Sequence, residues 1–147
     1  MSSEHEWVVD FDPIVQDLGM EDWAFGMASS ELTTFSYGHM GVVPLVPTAD
    51  LVNNGAIEWL DRTPAETFAE VDLRPEQPAL IINHPTGSAI GAYFDTVGLL
   101  DDGSQLNPEL WSDNFDAIEV FNSDSYDDVR NSVVVDWFKL LNAGLRR

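Results

Sequence analysis

Four consecutive apolar residues, Ala79-Leu80-Ile81-Ile82, run without alternation into the polar pair Asn83-His84 and then into Pro85. A continuous apolar run bounded in this way suits a strand covered on both faces, and the proline stops it from continuing as a central strand. The pattern therefore predicts a covered sheet that delivers an imidazole to the carboxyl end of a strand. Ligands in α/β folds are usually bound at that end.

His84 has two counterparts, His5 in Ser3-Glu4-His5-Glu6 and His39 in Tyr37-Gly38-His39, and there is no cysteine anywhere in the chain. A transition-metal site must then be built from imidazole and carboxylate, a donor set that suits Zn, Mn or Fe. Disulfide scaffolds and thiolate zinc modules are excluded, while the redox compartment stays open. Each histidine also has an ordinary reading. His84 can be a core imidazole satisfied by a backbone carbonyl, His39 an exposed ring on a polar turn, and His5 a side chain on a fraying terminus.

With 147 residues, 44% of them hydrophobic, and five tryptophans, the chain can bury a core and is expected to form a single domain over residues 1–147. Its 26 acidic residues against 6 basic ones give a formal net charge of -20. Such a surface repels phosphate backbones, so no nucleic-acid partner is expected, and most of the acids read as a solvated face. No run approaches the roughly 18 apolar residues that span a bilayer, and the first residues have neither a basic nor an apolar leader region. No membrane partner is expected, and the cellular location is left undetermined.

The pattern predicts a short helix over Phe11 to Gly19, with Pro13 in its first turn, and extended pieces over Phe25 to Thr34 and Gly41 to Leu45. Glu31 and His39 would then lie on adjoining strands or on their connection. Thr63-Pro64-Ala65-Glu66 is a capping box with proline at the first helical position, and Phe68 and Val71 give the following helix an apolar face. A long Gly-, Asp-, Ser- and Asn-rich loop is expected from Thr86 to about Asn114, a strand over Asp116 to Asn122, and an amphipathic helix over Val133 to Leu141 with Trp137, Phe138 and Leu141 in the core. This order argues for an α/β fold with parallel strands. Asp124, Asp127 and Asp128 lack EF-hand spacing and read as a solvated turn.

Eight segments recur in one order: Ser3-Glu4-His5, Ser30-Glu31-Leu32-Thr33-Thr34, Gly38-His39-Met40-Gly41, Gly55-Ala56-Ile57-Glu58-Trp59, Asn83-His84-Pro85-Thr86, Gly91-Ala92-Tyr93-Phe94-Asp95, Phe115 to Asn122, and Asp136 to Gly144. Taken together they resemble the polymerase and histidinol phosphatase (PHP) superfamily, in particular its carbaryl-esterase-like (CehA/McbA) branch. The resemblance implies a portion of a distorted (β/α)7 barrel, with His5, Glu31, His39 and His84 as ligands of a cluster that holds two or three divalent ions in a complete site. It further implies a hydrolase in which metal-activated water attacks a small-molecule phosphoester or related ester, with no separate side-chain nucleophile. Glu4, Asn83, Tyr93, Asp95, Glu119 and Asn122 are candidates for contacts behind the ligands or with substrate.

The chain departs from the family pattern in three places. Glu4 stands where Asp is usual, and Thr86 stands where Arg often follows Asn-His-Pro. The opening His-x-His and closing Asp-x-His pairs have no counterpart, which marks the chain as the central part of a larger barrel or as a degenerate member. The alternative expectation is accordingly an incomplete domain without activity of its own, a metal-binding or interaction scaffold that self-associates through open sheet edges.

Overall fold

The computed structural model describes residues 4–87, 91–122 and 125–145. Four strands form one open sheet in the order β1 (Ser30–Thr33), β2 (His39–Val43), β3 (Ala79–Asn83) and β4 (Ala117–Ile118). The helices are α1 (Asp12–Asp17), α2 (Pro64–Asp72), α3 (Tyr93–Val97), α4 (Tyr126–Asn131) and α5 (Val133–Asn142). The fold is mixed α/β.

The expectation of parallel strands is corrected for two of the three pairs. β1 and β2 are antiparallel, with Glu31 opposite Gly41 and Thr33 opposite His39, and β2 and β3 are antiparallel, with His39 opposite Asn83. The short link from Thr34 to Gly38 is a hairpin, and a parallel pairing needs a far longer crossover. Only β3 and β4 run parallel, through a connection that contains α3.

That connection was expected to be a loop from Thr86 to Asn114. Instead α3 occupies its first half and a 3-10 turn, Pro108–Leu110, its second. Tyr93, Phe94 and Val97 are the buried face of α3, and Gly98 ends it in a left-handed conformation. The expected strand from Asp116 to Asn122 shrinks to two residues, because carboxylates take over the donors of β3. Asp116 Oδ2 accepts the Leu80 N–H at 2.8 Å, and Glu119 Oε2 accepts the His84 N–H at 2.7 Å.

The core lies between the sheet and the helices: Leu32 from β1, Met40 and Val42 from β2, Leu80 and Ile82 from β3, Phe68 and Val71 from α2, and Leu140 from α5. β3 is fully buried on one face only, since Leu80 and Ile82 are buried while Ala79, Ile81 and Asn83 are half-exposed. β1 and β2 are the strands buried on both faces, over Ser30 to Leu32 and His39 to Val42. The capping box that opens α2 forms as expected: the Thr63 side chain accepts the Glu66 N–H and the Glu66 carboxylate accepts the Thr63 N–H.

α5 is rotated from its expected orientation. Its buried stripe is Val133, Asp136 and Leu140, whereas Phe138 is 53% exposed. The rotation follows from polar satisfaction, because Thr86 Oγ1 and Lys139 Nζ reach the Asp136 carboxylate at 2.6 and 2.8 Å and make that acid tolerable in the buried stripe. Asp127 and Asp128 lie in the exposed first turn of α4, and Asp124 lies outside the described residues.

Two tyrosines carry a pH signature. Tyr37 is buried with its hydroxyl 2.8 Å from Thr67 Oγ1, and Tyr93 is buried with its hydroxyl tied to Ser112. Burial pushes both phenols above their ordinary range. The neutral form is favoured by folding, so this contribution is intact below the unfolded value of about 10 and is lost as pH rises toward the folded values. Phenolate absorbance followed together with circular dichroism should show Tyr37 and Tyr93 ionising along with loss of structure rather than before it.

Candidate metal centre

Three side chains from three neighbouring strands converge at one end of the sheet. Glu31 comes from the middle of β1, His39 is the first residue of β2, and His84 directly follows β3. The register makes this convergence: Asn83 lies opposite His39, and His39 opposite Thr33, so the strand ends are level.

The donor atoms form a compact triangle. His39 Nδ1 and His84 Nε2 are 3.2 Å apart, and each is 3.5 Å from Glu31 Oε1. A tetrahedral ion with bonds of about 2.0–2.1 Å separates its ligand atoms by about 3.3–3.4 Å. The three donors thus already stand at ligand spacing, and their chemistry, two imidazoles and a carboxylate, fits a borderline divalent cation. The opposite ring nitrogens, His39 Nε2 and His84 Nδ1, are buried without a hydrogen-bond partner. With protons on those outer nitrogens, the inward nitrogens present lone pairs to the space between them, the form in which imidazole binds a cation.

Burial and the neighbouring His84 push His39 below its ordinary value, while the hydrogen bond to Glu31 raises His84 above its own. Burial works to raise the Glu31 carboxyl, but His84, the Asn83 amide, His5 and His39 outweigh it and hold it below the usual carboxylate range. Ionised Glu31 and protonated His84 thus favour each other, while His39 is driven toward its neutral form.

Groups behind the triangle fix it. Asn83 Nδ2 donates to Glu31 Oε1 at 3.1 Å. His84 has a φ of 27° although it is not glycine and precedes a proline, a backbone state that neighbouring contacts must maintain. Glu119 supplies one such contact through the His84 N–H, and Asn122 Nδ2 in turn donates to the same Glu119 oxygen at 3.0 Å. Asn83, Glu119 and Asn122, three of the candidates read from the sequence, thus contact the Glu31 carboxylate, the His84 N–H and the Glu119 carboxylate respectively.

The remaining candidates fall in different places. His5 forms an isolated parallel bridge with Glu31, and its Nδ1 is 3.6 Å from Glu31 Oε2, the oxygen turned away from the other two histidines. The His5 ring is 64% exposed and also meets Thr33 Oγ1 at 2.5 Å, so it stands at the rim rather than in the triangle. Glu4 contributes through its backbone, where its carbonyl accepts the Glu31 N–H at 2.9 Å. Tyr93 is a core residue whose hydroxyl bonds to Leu110 and Ser112, and Asp95 accepts the Gly87 N–H at 2.8 Å. Glu6 was not anticipated, although it neighbours His5. Its N–H donates to the Glu31 carbonyl at 2.9 Å, and its carboxylate accepts from the Thr33 N–H and from Trp59 Nε1.

No family model, no curated protein and no solved structure matches this chain.

Proposed function

We propose that the protein is a metal-dependent hydrolase of the PHP type, in which Glu31, His39 and His84 hold a divalent cation, with His5 at the rim facing the second oxygen of Glu31. The observation that carries this reading is the triangle of donors at 3.2, 3.5 and 3.5 Å. A bound Zn, Mn or Fe ion supplies a water made nucleophilic near neutral pH and a Lewis acid for the ester being cut. The residues of the chain bind and orient: Asn83 fixes the Glu31 carboxylate, and Glu119 fixes the turn that aims His84. The two Glu31 oxygens face different imidazoles, Oε1 those of His39 and His84 and Oε2 that of His5.

Space for a small-molecule substrate adjoins the site. A cavity of about 390 Å³ is lined by His84, Thr86, Asn122, Asn131 and Ser132, among others, and no lysine or arginine lines it. The lining offers amides, hydroxyls and the Asp128 carboxylate, so a neutral ester fits it best and a singly charged phosphodiester fits it better than a doubly charged phosphomonoester.

The protein with added Mn or Zn should hydrolyse a chromogenic phosphodiester or a chromogenic carboxylic ester, and Glu31→Gln should lower the rate by about 100-fold or more. Rates equal in wild type and Glu31→Gln would refute the assignment.

A second reading, an interaction scaffold without turnover, is favoured by one observation. Helix α1 buries none of its residues, and the segment around it exposes Ile14, Leu18, Trp23 and Phe25. Large apolar side chains left exposed along one stretch of chain supply the surface that an interaction face needs. On that reading the ion is bound but neither ester is turned over, and the chain self-associates on sizing chromatography.

A further inference from the structure

A second cavity, of about 270 Å³, is lined by Glu6, Phe35, Val52, Asn53, Ala56, Ile57, Glu58, Trp59 and Leu60. None of its lining residues belongs to the donor triangle, and its chemistry differs: two aromatic rings and two carboxylates, with no basic side chain in the lining. The rings of Phe35 and Trp59 meet at 81° with centroids 5.4 Å apart, which makes an aromatic corner. Phe35 is 83% exposed, so its ring is open to a ligand from solvent.

Trp59 is held by its own carboxylate. Its Nε1–H donates to Glu6 Oε2 at 2.8 Å, and the other Glu6 oxygen accepts the Thr33 N–H. A carboxylate on the indole N–H pushes electron density into the ring and strengthens the negative potential over its face. Glu58, exposed and adjacent in sequence, adds a second negative charge to the same cavity. The nearby Arg62 does not neutralise them, because its guanidinium is paired with Glu70. A cavity with electron-rich ring faces, two carboxylates and an apolar floor recognises one kind of ligand: a cation that carries its charge on an apolar skin.

We propose that this cavity binds a small organic cation of the alkylammonium class, with the charged head against Phe35 and Trp59 and the carboxylates of Glu6 and Glu58 supplying charge complementarity. Its volume lies just below the range of sites that take drug-sized molecules, which suits a ligand as small as a trimethylammonium compound. The net charge of -20 favours encounter with a cation and disfavours any anionic competitor.

The test is a titration with choline and, in parallel, with its neutral isostere 3,3-dimethylbutan-1-ol, read by tryptophan fluorescence and by amide shifts in NMR spectra. Choline should bind saturably and about tenfold more tightly than the alcohol. Phe35→Leu and Glu58→Gln both alter exposed side chains, so the fold should survive, and each should weaken choline by about fivefold or more while leaving the alcohol unchanged. A peptide carrying trimethyl-lysine serves as a further arm: tighter binding than choline assigns the cation to a protein side chain, weaker binding to a free metabolite, and both keep the site's chemistry. Equal affinity for choline and the alcohol, no saturable shift with choline, or unchanged choline binding in both variants would overturn the proposal. Glu31→Gln should leave choline binding intact, so failure here is separable from failure of the metal centre.

Discussion

Saturating zinc should raise the melting temperature of the protein by about 5–10 °C, and the rise should vanish in Glu31→Gln and in His39→Gln. An ion that binds only the folded state at about 100 times its dissociation constant adds about 2.7 kcal/mol, and a domain of this size shifts by about 2–4 °C per kcal/mol. The size of the effect follows from geometry. The three donors are contributed by different strands and meet only when β1, β2 and β3 are in register, so the unfolded chain offers no comparable site. Losing one of three protein donors removes most of the affinity. Asn83→Ala leaves the donors but frees the Glu31 carboxylate, and the expected result is an intermediate loss of about 10–100-fold in affinity.

The second large effect is expected at a residue that binds nothing. Gly38 has a φ of +99°, and a Cβ built there would lie 2.7 Å from the Gly91 carbonyl oxygen and 2.8 Å from the Tyr93 nitrogen. Both neighbours are backbone atoms, which cannot rotate away. Gly38→Ala therefore combines left-handed strain with overpacking, each costing about 1–3 kcal/mol, for a loss of about 3 kcal/mol and about 6–12 °C in melting temperature. Gly19 gives the comparison: its φ is +63° but nothing lies within 4 Å of the added Cβ, so Gly19→Ala should cost only about 1 kcal/mol. Gly38 immediately precedes His39, and moving either the hairpin or the Gly91–Tyr93 segment shifts a donor. Gly38→Ala should accordingly weaken zinc binding as well as stability, whereas Gly19→Ala should leave it unchanged.

What the sequence revealed of this site was local. The apolar run into Asn83-His84-Pro85 marked a strand end, and that is where His84 sits, because the proline and the polar pair act within a few residues. Glu31 and His39 were expected on adjoining strands or on their connection, and they lie on β1 and β2; the capping box of α2 was legible in the same local way. Strand direction was not legible, since alternation of elements suggests parallel pairing while the short link between β1 and β2 dictates a hairpin. Helix α3 hid inside a glycine- and aspartate-rich stretch because it spans only five residues and draws its stability from burying Tyr93, Phe94 and Val97 rather than from propensity. The contribution of Glu6 was invisible because its carboxylate meets Thr33 and Trp59 across the chain. Of the expected portion of a distorted (β/α)7 barrel, the structure shows the coarser part: a mixed α/β fold with an open four-stranded sheet.

The central claim is that Glu31, His39 and His84 form one cation site. It is tested most directly by equilibrium dialysis of the purified protein against zinc, followed by elemental analysis of the metal retained per chain. Wild type should retain one tightly held zinc, and Glu31→Gln and His39→Gln should retain none while keeping a native circular dichroism spectrum. A wild-type protein that emerges without metal, or a His39→Gln variant that keeps its zinc, would contradict the account.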